Sequence, residues 1–140
     1  MFSQSVIYAF RALNYMADTR DQEWVLAREI AEALNLPANF LAKILGVLTS
    51  EGILLSQRGK RGGFRLARPP EGITLLDICA PFDDPEEKAR RCFLKDALCD
   101  EKNTCAIHKA WRKVMDRHIA FLRNTTLRDT MTKRREGGKT

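Results

Sequence analysis

Residues 54–68 read Leu-Leu-Ser-Gln-Arg-Gly-Lys-Arg-Gly-Gly-Phe-Arg-Leu-Ala-Arg. Two short alternating stretches flank a glycine-rich basic turn, Arg58 to Gly63, which is the pattern of a β-hairpin. Glycines supply positive φ and a slim backbone. Arg58, Lys60 and Arg61 put three cations on the tip, where they can enter a minor groove or clamp phosphates. No Gly-Lys-Ser/Thr opens a helix after Gly59, so these glycines do not form a nucleotide phosphate loop.

Immediately upstream, Asn35-Leu36-Pro37 separates two helical patterns. Ala27, Ile30, Ala31 and Leu34 make the core face of the first. The second runs from Pro37, suited to a first helical turn, to Gly52, suited to an end. Within it Phe40, Leu41, Ile44, Leu45, Val47 and Leu48 form the expected buried set, leaving Ala38, Asn39, Ala42, Lys43 and Gly46 outside. Two short helices joined by a tight turn are a helix-turn-helix. Asn39 can bond an adenine edge, Lys43 can reach a guanine or a phosphate, and Ala38 and Ala42 are small enough to let the helix sit deep in a major groove. Each position alone is equally an ordinary solvated one. A basic hairpin following a helix-turn-helix is far more specific: the expectation is a winged helix-turn-helix, mainly α with a small β-hairpin wing, binding double-stranded DNA. Ser3 to Asp18 reads as a supporting helix, with Val6, Phe10, Leu13 and Ala17 on one stripe and Ser3 or Ser5 as cap, followed by a polar connection from Asp18 to Glu23.

Composition agrees. The 140 residues suffice for one compact domain, or a small domain with a dimerisation extension, and 24 Lys plus Arg against 18 Asp plus Glu give a net charge of +6, which favours a polyanionic partner. No apolar run is long enough to span a membrane and the N-terminus lacks a signal-peptide pattern, so a cytoplasmic protein is expected. In that reducing compartment the four cysteines read as ligands, redox sensors or buried thiols rather than a disulfide framework.

Beyond the wing, Pro69-Pro70-Glu71-Gly72 ends the hairpin, and Thr74 with Asp77 makes a capping-box start for a short helix expected to stop at Pro81. Cys79, among Leu75, Leu76 and Ile78, reads as a buried thiol. Asp83 to Glu87 reads as an acidic turn, leading through Lys88, Arg90 and Arg91 into Cys92, Cys99, Cys105 and His108, which fall within seventeen residues. Thiolates with an imidazole are the donors that zinc or an iron–sulfur cluster requires. The gaps, Cys-x6-Cys-x5-Cys-x2-His, are wider than the tight knuckles of structural zinc and suit a loop around a bulkier iron–sulfur cluster; a thiol–disulfide switch, structural zinc and inert cysteines remain as alternatives. Asn103 or Thr104 is the expected cap of a long helix, with Cys105 and His108 on one face near its start. From Thr104 to about Asn124, Ile107, Trp111, Val114, His118, Phe121 and Leu122 form an apolar seam for packing on a second copy, with His118 a packed histidine. Thr126 to Asp129 reads as a short capped helix and 132–140 as a disordered basic tail. The expected organisation is a DNA-binding domain over 1–80, a cluster-binding loop over 81–105, dimerisation and short C-terminal helices over 104–130, and the tail over 131–140. No oriented catalytic base or substrate pocket is evident, so neither an enzyme nor a small-molecule substrate is expected.

Tyr8-Ala-Phe-Arg-Ala-Leu13, Glu29-Ile-Ala31, Asn39-Phe-Leu-Ala-Lys-Ile-Leu45, Arg58-Gly-Lys-Arg-Gly-Gly-Phe-Arg-Leu-Ala67, Ile73-Thr-Leu-Leu-Asp77 and Cys105-Ala-Ile-His-Lys-Ala-Trp-Arg112 together resemble the Rrf-two family of bacterial winged-helix regulators. So do Phe121-Leu122 and Thr126-Leu127. The resemblance covers roughly residues 2 to 130. It implies a homodimer whose long helices cross, with a recognition helix in the major groove and a wing in the minor groove of a palindromic operator. Family members with three cysteines in this loop bind an iron–sulfur cluster and sense cluster supply, nitric oxide or redox state. The implied ligands are Cys92, Cys99 and Cys105, with His108 at the position where IscR-like members complete a 2Fe-2S site. NsrR-like members complete a 4Fe-4S site with a carboxylate from the other subunit; the matching position here is Ile7, which cannot ligate, so 2Fe-2S is favoured with 4Fe-4S still open. Ala42 and Lys43 stand where IscR-like recognition helices carry Glu and Gln, implying a different operator. Arg58 matches the family's wing arginine.

Overall fold

Ser3 opens the first helix in a computed structural model that describes residues 2–19, 23–95 and 97–131. Its hydroxyl accepts the Val6 N–H at 3.3 Å, and its own N–H donates to the Asp83 carboxylate at 2.8 Å. Helix α1 (Gln4–Asp18) buries Val6, Ala9, Ala12, Leu13, Met16 and Ala17. Helix α2 (Ala27–Leu34) ends at Asn35, whose φ of 54° is a left-handed conformation that asparagine tolerates. Helix α3 (Ala38–Ser50) follows after Leu36 and Pro37. Gly52, with φ of 76°, terminates it: the Ile53 N–H returns to the Leu48 carbonyl at 3.0 Å and the Gly52 N–H to Thr49 at 3.1 Å, the Schellman arrangement that satisfies the last carbonyls.

The helix-turn-helix is as read, with one correction on α3. Leu41, Ile44, Leu45 and Leu48 are buried, whereas Phe40 and Val47, expected in the core, are 37 % and 36 % exposed. Spacings of three and four place only those four on the stripe that meets α1 and α2. Phe40 lies at its edge, its ring edge-on to Tyr8 at 5.5 Å.

Strands β1 (Leu54–Gln57) and β2 (Gly63–Leu66) form an antiparallel hairpin with Leu54 opposite Leu66 and Gln57 opposite Gly63. Val25, just before α2, extends it by exchanging two backbone hydrogen bonds with Phe64, at 2.9 and 2.8 Å. A 3-10 turn (Pro70–Gly72) leads to α4 (Leu75–Asp83), opened by the expected Thr74–Asp77 capping box.

Contrary to expectation, α4 runs through Pro81. Proline there removes only the bond to the Asp77 carbonyl, while burial of Leu75, Ile78 and Cys79 holds the helix on both sides. It stops at Asp84, at φ 42°. The acidic residues expected as a turn instead begin α5 (Pro85–Ala89), with Pro85 in its first turn and the Asp84 carboxylate accepting the Glu87 N–H.

The long helix α6 (His108–Asn124) starts later than Thr104. The Asp100 carboxylate takes the Lys102 N–H at 2.9 Å and the Asn103 side-chain amide at 3.5 Å, holding 100–103 in a turn ahead of the helix, whose cap position is Ile107 and not Asn103 or Thr104. Cys105 therefore precedes the helix, correcting its placement on a helical face with His108. Helix α7 (Leu127–Thr130) follows a Thr126–Asp129 capping box, and Leu122 and Leu127 insert into the same core as α1 and α4. The expected tail over 132–140 lies outside the described residues.

Candidate nucleic-acid interface and cysteine loop

The residues expected to read DNA are all at the surface: Ala38, Asn39, Ala42 and Lys43 on α3, and Arg58, Lys60 and Arg61 on the hairpin tip. The tip is held rigidly. Gly59 has φ of 106° and Gly63 of 137°, and a Cβ on Gly63 would lie 2.5 Å from the Val25 carbonyl oxygen. Only glycine permits the close approach that lets Val25 and Phe64 pair. On one side of the hairpin Arg65 lies over the Trp24 ring, 4.6 Å from its centroid, and pairs with Glu23 at 3.6 Å. On the other, residues 26–28 and 56–59 with Gly63 and Phe64 line a groove of about 470 Å³, which contains both Arg58 and Arg28. Arg28 was not singled out from sequence. A lone arginine on an exposed helical position carries no spacing signal, and only the fold sets it beside the wing.

The cysteines divide by environment. Cys79 is fully buried, as expected, and burial, with the Asp83 carboxylate, pushes its thiol up to about 11. Cys92, Cys99 and Cys105 are partly exposed on the segment between α5 and α6. The sulfurs of Cys92 and Cys105 stand 3.8 Å apart. Two thiolates on one tetrahedral metal at about 2.3 Å would be separated by roughly 3.8 Å, so this pair has the edge length of a metal centre. Among the described residues no set of three or more Cys, His, Asp or Glu side chains is gathered closely enough to hold a metal ion, so Cys99 and His108 do not complete a ligand set with that pair, although Cys99 is near enough to feel both sulfurs. The Leu94 backbone N–H, with Lys95 and Cys105, holds the Cys92 thiol below its ordinary value against the opposing effect of burial. Burial, and then the negative charge of Cys92 and Cys105, raises Cys99.

Three consecutive carbonyls at the end of α5 and just beyond it anchor this segment, two of them to α6 and one within the loop. The Ala89 carbonyl accepts from the Arg112 guanidinium at 2.8 Å, the Arg90 carbonyl accepts the Cys99 N–H at 2.8 Å, and the Arg91 carbonyl accepts the Trp111 indole N–H at 3.0 Å. Phe93 sits edge-on to Trp111 at 5.0 Å.

The seam read along α6 splits in two. Leu122 is buried in the core of its own chain, His118 stacks against Phe2 at 6.0 Å, and Trp111 faces the cysteine loop. Ile107, Val114 and Phe121 remain 38 %, 54 % and 58 % exposed, seven residues apart. No helix among the described residues is long and apolar enough to cross a membrane.

A family model for Rrf2, described as an iron-dependent transcriptional regulator, matches residues 2–133. An HTH-type transcriptional regulator of Aquifex aeolicus is 38 % identical over 131 residues, spanning 92 % of this chain and 90 % of the relative. Among solved structures, IscR of T. potens is similar with a TM-score of 0.72 and 26 % identity, over 92 % of this chain and 84 % of that one. CymR, the global cysteine regulator of B. subtilis, shares the fold with a TM-score of 0.77 at 24 % identity, over 92 % of this chain and 94 % of that one.

Proposed function

The chain belongs to the Rrf2 family of transcriptional regulators, and from that premise we propose that it binds a palindromic operator as a homodimer and senses iron–sulfur cluster status, redox state or nitric oxide through a cluster held by Cys92, Cys99, Cys105 and His108. The observation that carries this reading is the Cys92–Cys105 pair, 3.8 Å between sulfurs, on a loop bonded directly to α6. Such a cluster, when bound, supplies iron–sulfide bonds that oxidants, nitric oxide and iron shortage break. Cys92 and Cys105 supply two thiolates already at ligand spacing. Cys99 and His108 complete the set by a movement of the loop, because they are not gathered in the described arrangement.

That movement is the transmission step. The Cys99 N–H is bonded to the Arg90 carbonyl, so drawing Cys99 inward pulls on the segment that Arg112 and Trp111 hold to α6. In a dimer packed through α6, a change in that helix alters the spacing of two recognition helices. A differential affinity of about 1.4 kcal/mol then changes operator occupancy tenfold. DNA reading falls to Ala38, Asn39, Ala42 and Lys43 in the major groove and to Arg58, Lys60 and Arg61 on the wing.

The same distance favours one second reading, a thiol–disulfide switch. Closing 3.8 Å to a bonded 2.0 Å is a small loop adjustment. Two thiols would lose two electrons and two protons to an oxidant such as peroxide, which is reduced to water. The deciding experiment is an ultraviolet–visible spectrum with iron and sulfide analysis on protein purified without oxygen. Sulfur-to-iron charge-transfer bands with stoichiometric iron and sulfide are expected. A colourless, iron-free preparation that reversibly loses two free thiols on peroxide treatment would replace the cluster with the disulfide.

A further inference from the structure

We infer that Arg28 is a phosphate-contacting residue, and that the groove between the start of α2 and the wing seats the DNA backbone beside the groove the wing enters. The inference rests on the DNA-binding reading above and adds a contact that the recognition helix and the wing tip do not supply. Arg28 and Arg58 come from different elements yet line one groove of about 470 Å³. Both side chains are exposed, and neither guanidinium is paired with a carboxylate among the described residues. By contrast, Arg65 and Arg68 on the far side of the hairpin are paired with Glu23 and Asp77, both at 3.6 Å. Nearby Glu29 turns its carboxylate back to the Leu26 N–H, at 3.3 Å, and is not among the groove residues.

Two unneutralised cations at one open groove match a partner whose charge repeats along its length, and a DNA duplex carries one negative charge per roughly 1.7 Å of axis. Their relative position is fixed before DNA arrives. Val25 is bonded to Phe64 through both its backbone groups, so the four residues from Val25 to Arg28 are tied to the wing. When Arg58 meets DNA, the backbone that carries Arg28 is presented alongside it, so only the arginine side chain remains to be ordered. Side-chain groups that touch phosphates set orientation and affinity but carry no sequence information.

The test compares wild type with Arg28→Ala on a duplex selected by the wild-type protein from a randomised pool and on a scrambled duplex, by fluorescence anisotropy across salt concentrations. Arg28→Ala is expected to weaken both duplexes by the same factor and to flatten the slope of log affinity against log salt by about 0.9. A fourfold rise in salt then narrows the gap between variant and wild type by about 3.5-fold. Arg28→Lys should restore the slope, since a point charge serves a phosphate. An unchanged slope and affinity in Arg28→Ala, with wild type binding normally, overturns the inference. So does a change in the ratio of the two affinities, which would make Arg28 a base reader. If wild type binds neither duplex, the DNA-binding reading itself fails.

Discussion

Asp83 shows how one carboxylate can hold two ends of a chain together. Its side chain is only 6 % exposed, and it accepts the Ser3 N–H at the start of α1 while Lys88 stands 3.9 Å away on α5. Burial pushes its carboxyl upward, but the Ser3 hydrogen bonds and Lys88 outweigh that and hold it below the ordinary 3.8. Because the folded form keeps the proton off, Asp83 contributes stability that is complete above the unfolded value near pH 4 and is lost as pH falls through the lower folded value. Asp83→Ala is expected to cost about 1–2 kcal/mol at neutral pH, read by urea denaturation, with the gap to wild type closing in acid. A gap that did not narrow as pH falls would mean that packing, and not charge, accounts for the loss. Nothing in the sequence pointed to this residue, read as part of an acidic turn, because its partner lies eighty positions away. Arg28 was invisible for the same reason. Cys79 was legible because its neighbours in sequence are also its neighbours in the core.

At the scale of elements, local chemistry was legible wherever it was sufficient. The Ser3 cap, the Thr74–Asp77 box, the Gly52 stop and the basic hairpin each depend on residues within a few positions. Expectations failed where two local signals competed. Asp100 folds the chain into a turn ahead of α6, so the helix begins beyond Asn103 and Thr104, and burial of α4 overrode Pro81. The hairpin yields a test of the glycine reading. Gly63→Ala must relieve a 2.5 Å approach to Val25 and abandon φ of 137°, so the Val25–Phe64 pairing should open. A loss of about 2 kcal/mol or more in thermal or urea unfolding is expected. Retention of wild-type stability would show that the wing does not depend on this contact.

For the whole molecule, the division of α6 is decisive. A single apolar periodicity in sequence divides in the structure: Trp111, His118 and Leu122 fasten the helix to its own chain, and Ile107, Val114 and Phe121 stay exposed with heptad spacing, the stripe that the proposed homodimer would bury. Sequence alone could not separate the two sets, since a helix records which faces are apolar but not what covers each. Val114→Glu places a charge in the middle of the outer stripe while leaving the inner contacts intact. Sedimentation should show a dimer become a monomer, and operator affinity should fall by about 100-fold as two linked half-site contacts become one. A variant that remained dimeric would move the interface elsewhere. The cysteine loop also differs from the rest of the molecule in the cost of opening it. Between Cys92 and Cys105 the described backbone makes no regular secondary structure, and its cysteine amides rest on two carbonyls, those of Ala97 and Arg90. Local opening there is far cheaper than global unfolding, whereas α6 is held by core side chains at its far end. The loop can therefore rearrange many times during the lifetime of one folded molecule, and under the sensing role proposed above its response time follows chemistry at its sulfurs and not the unfolding barrier of the fold.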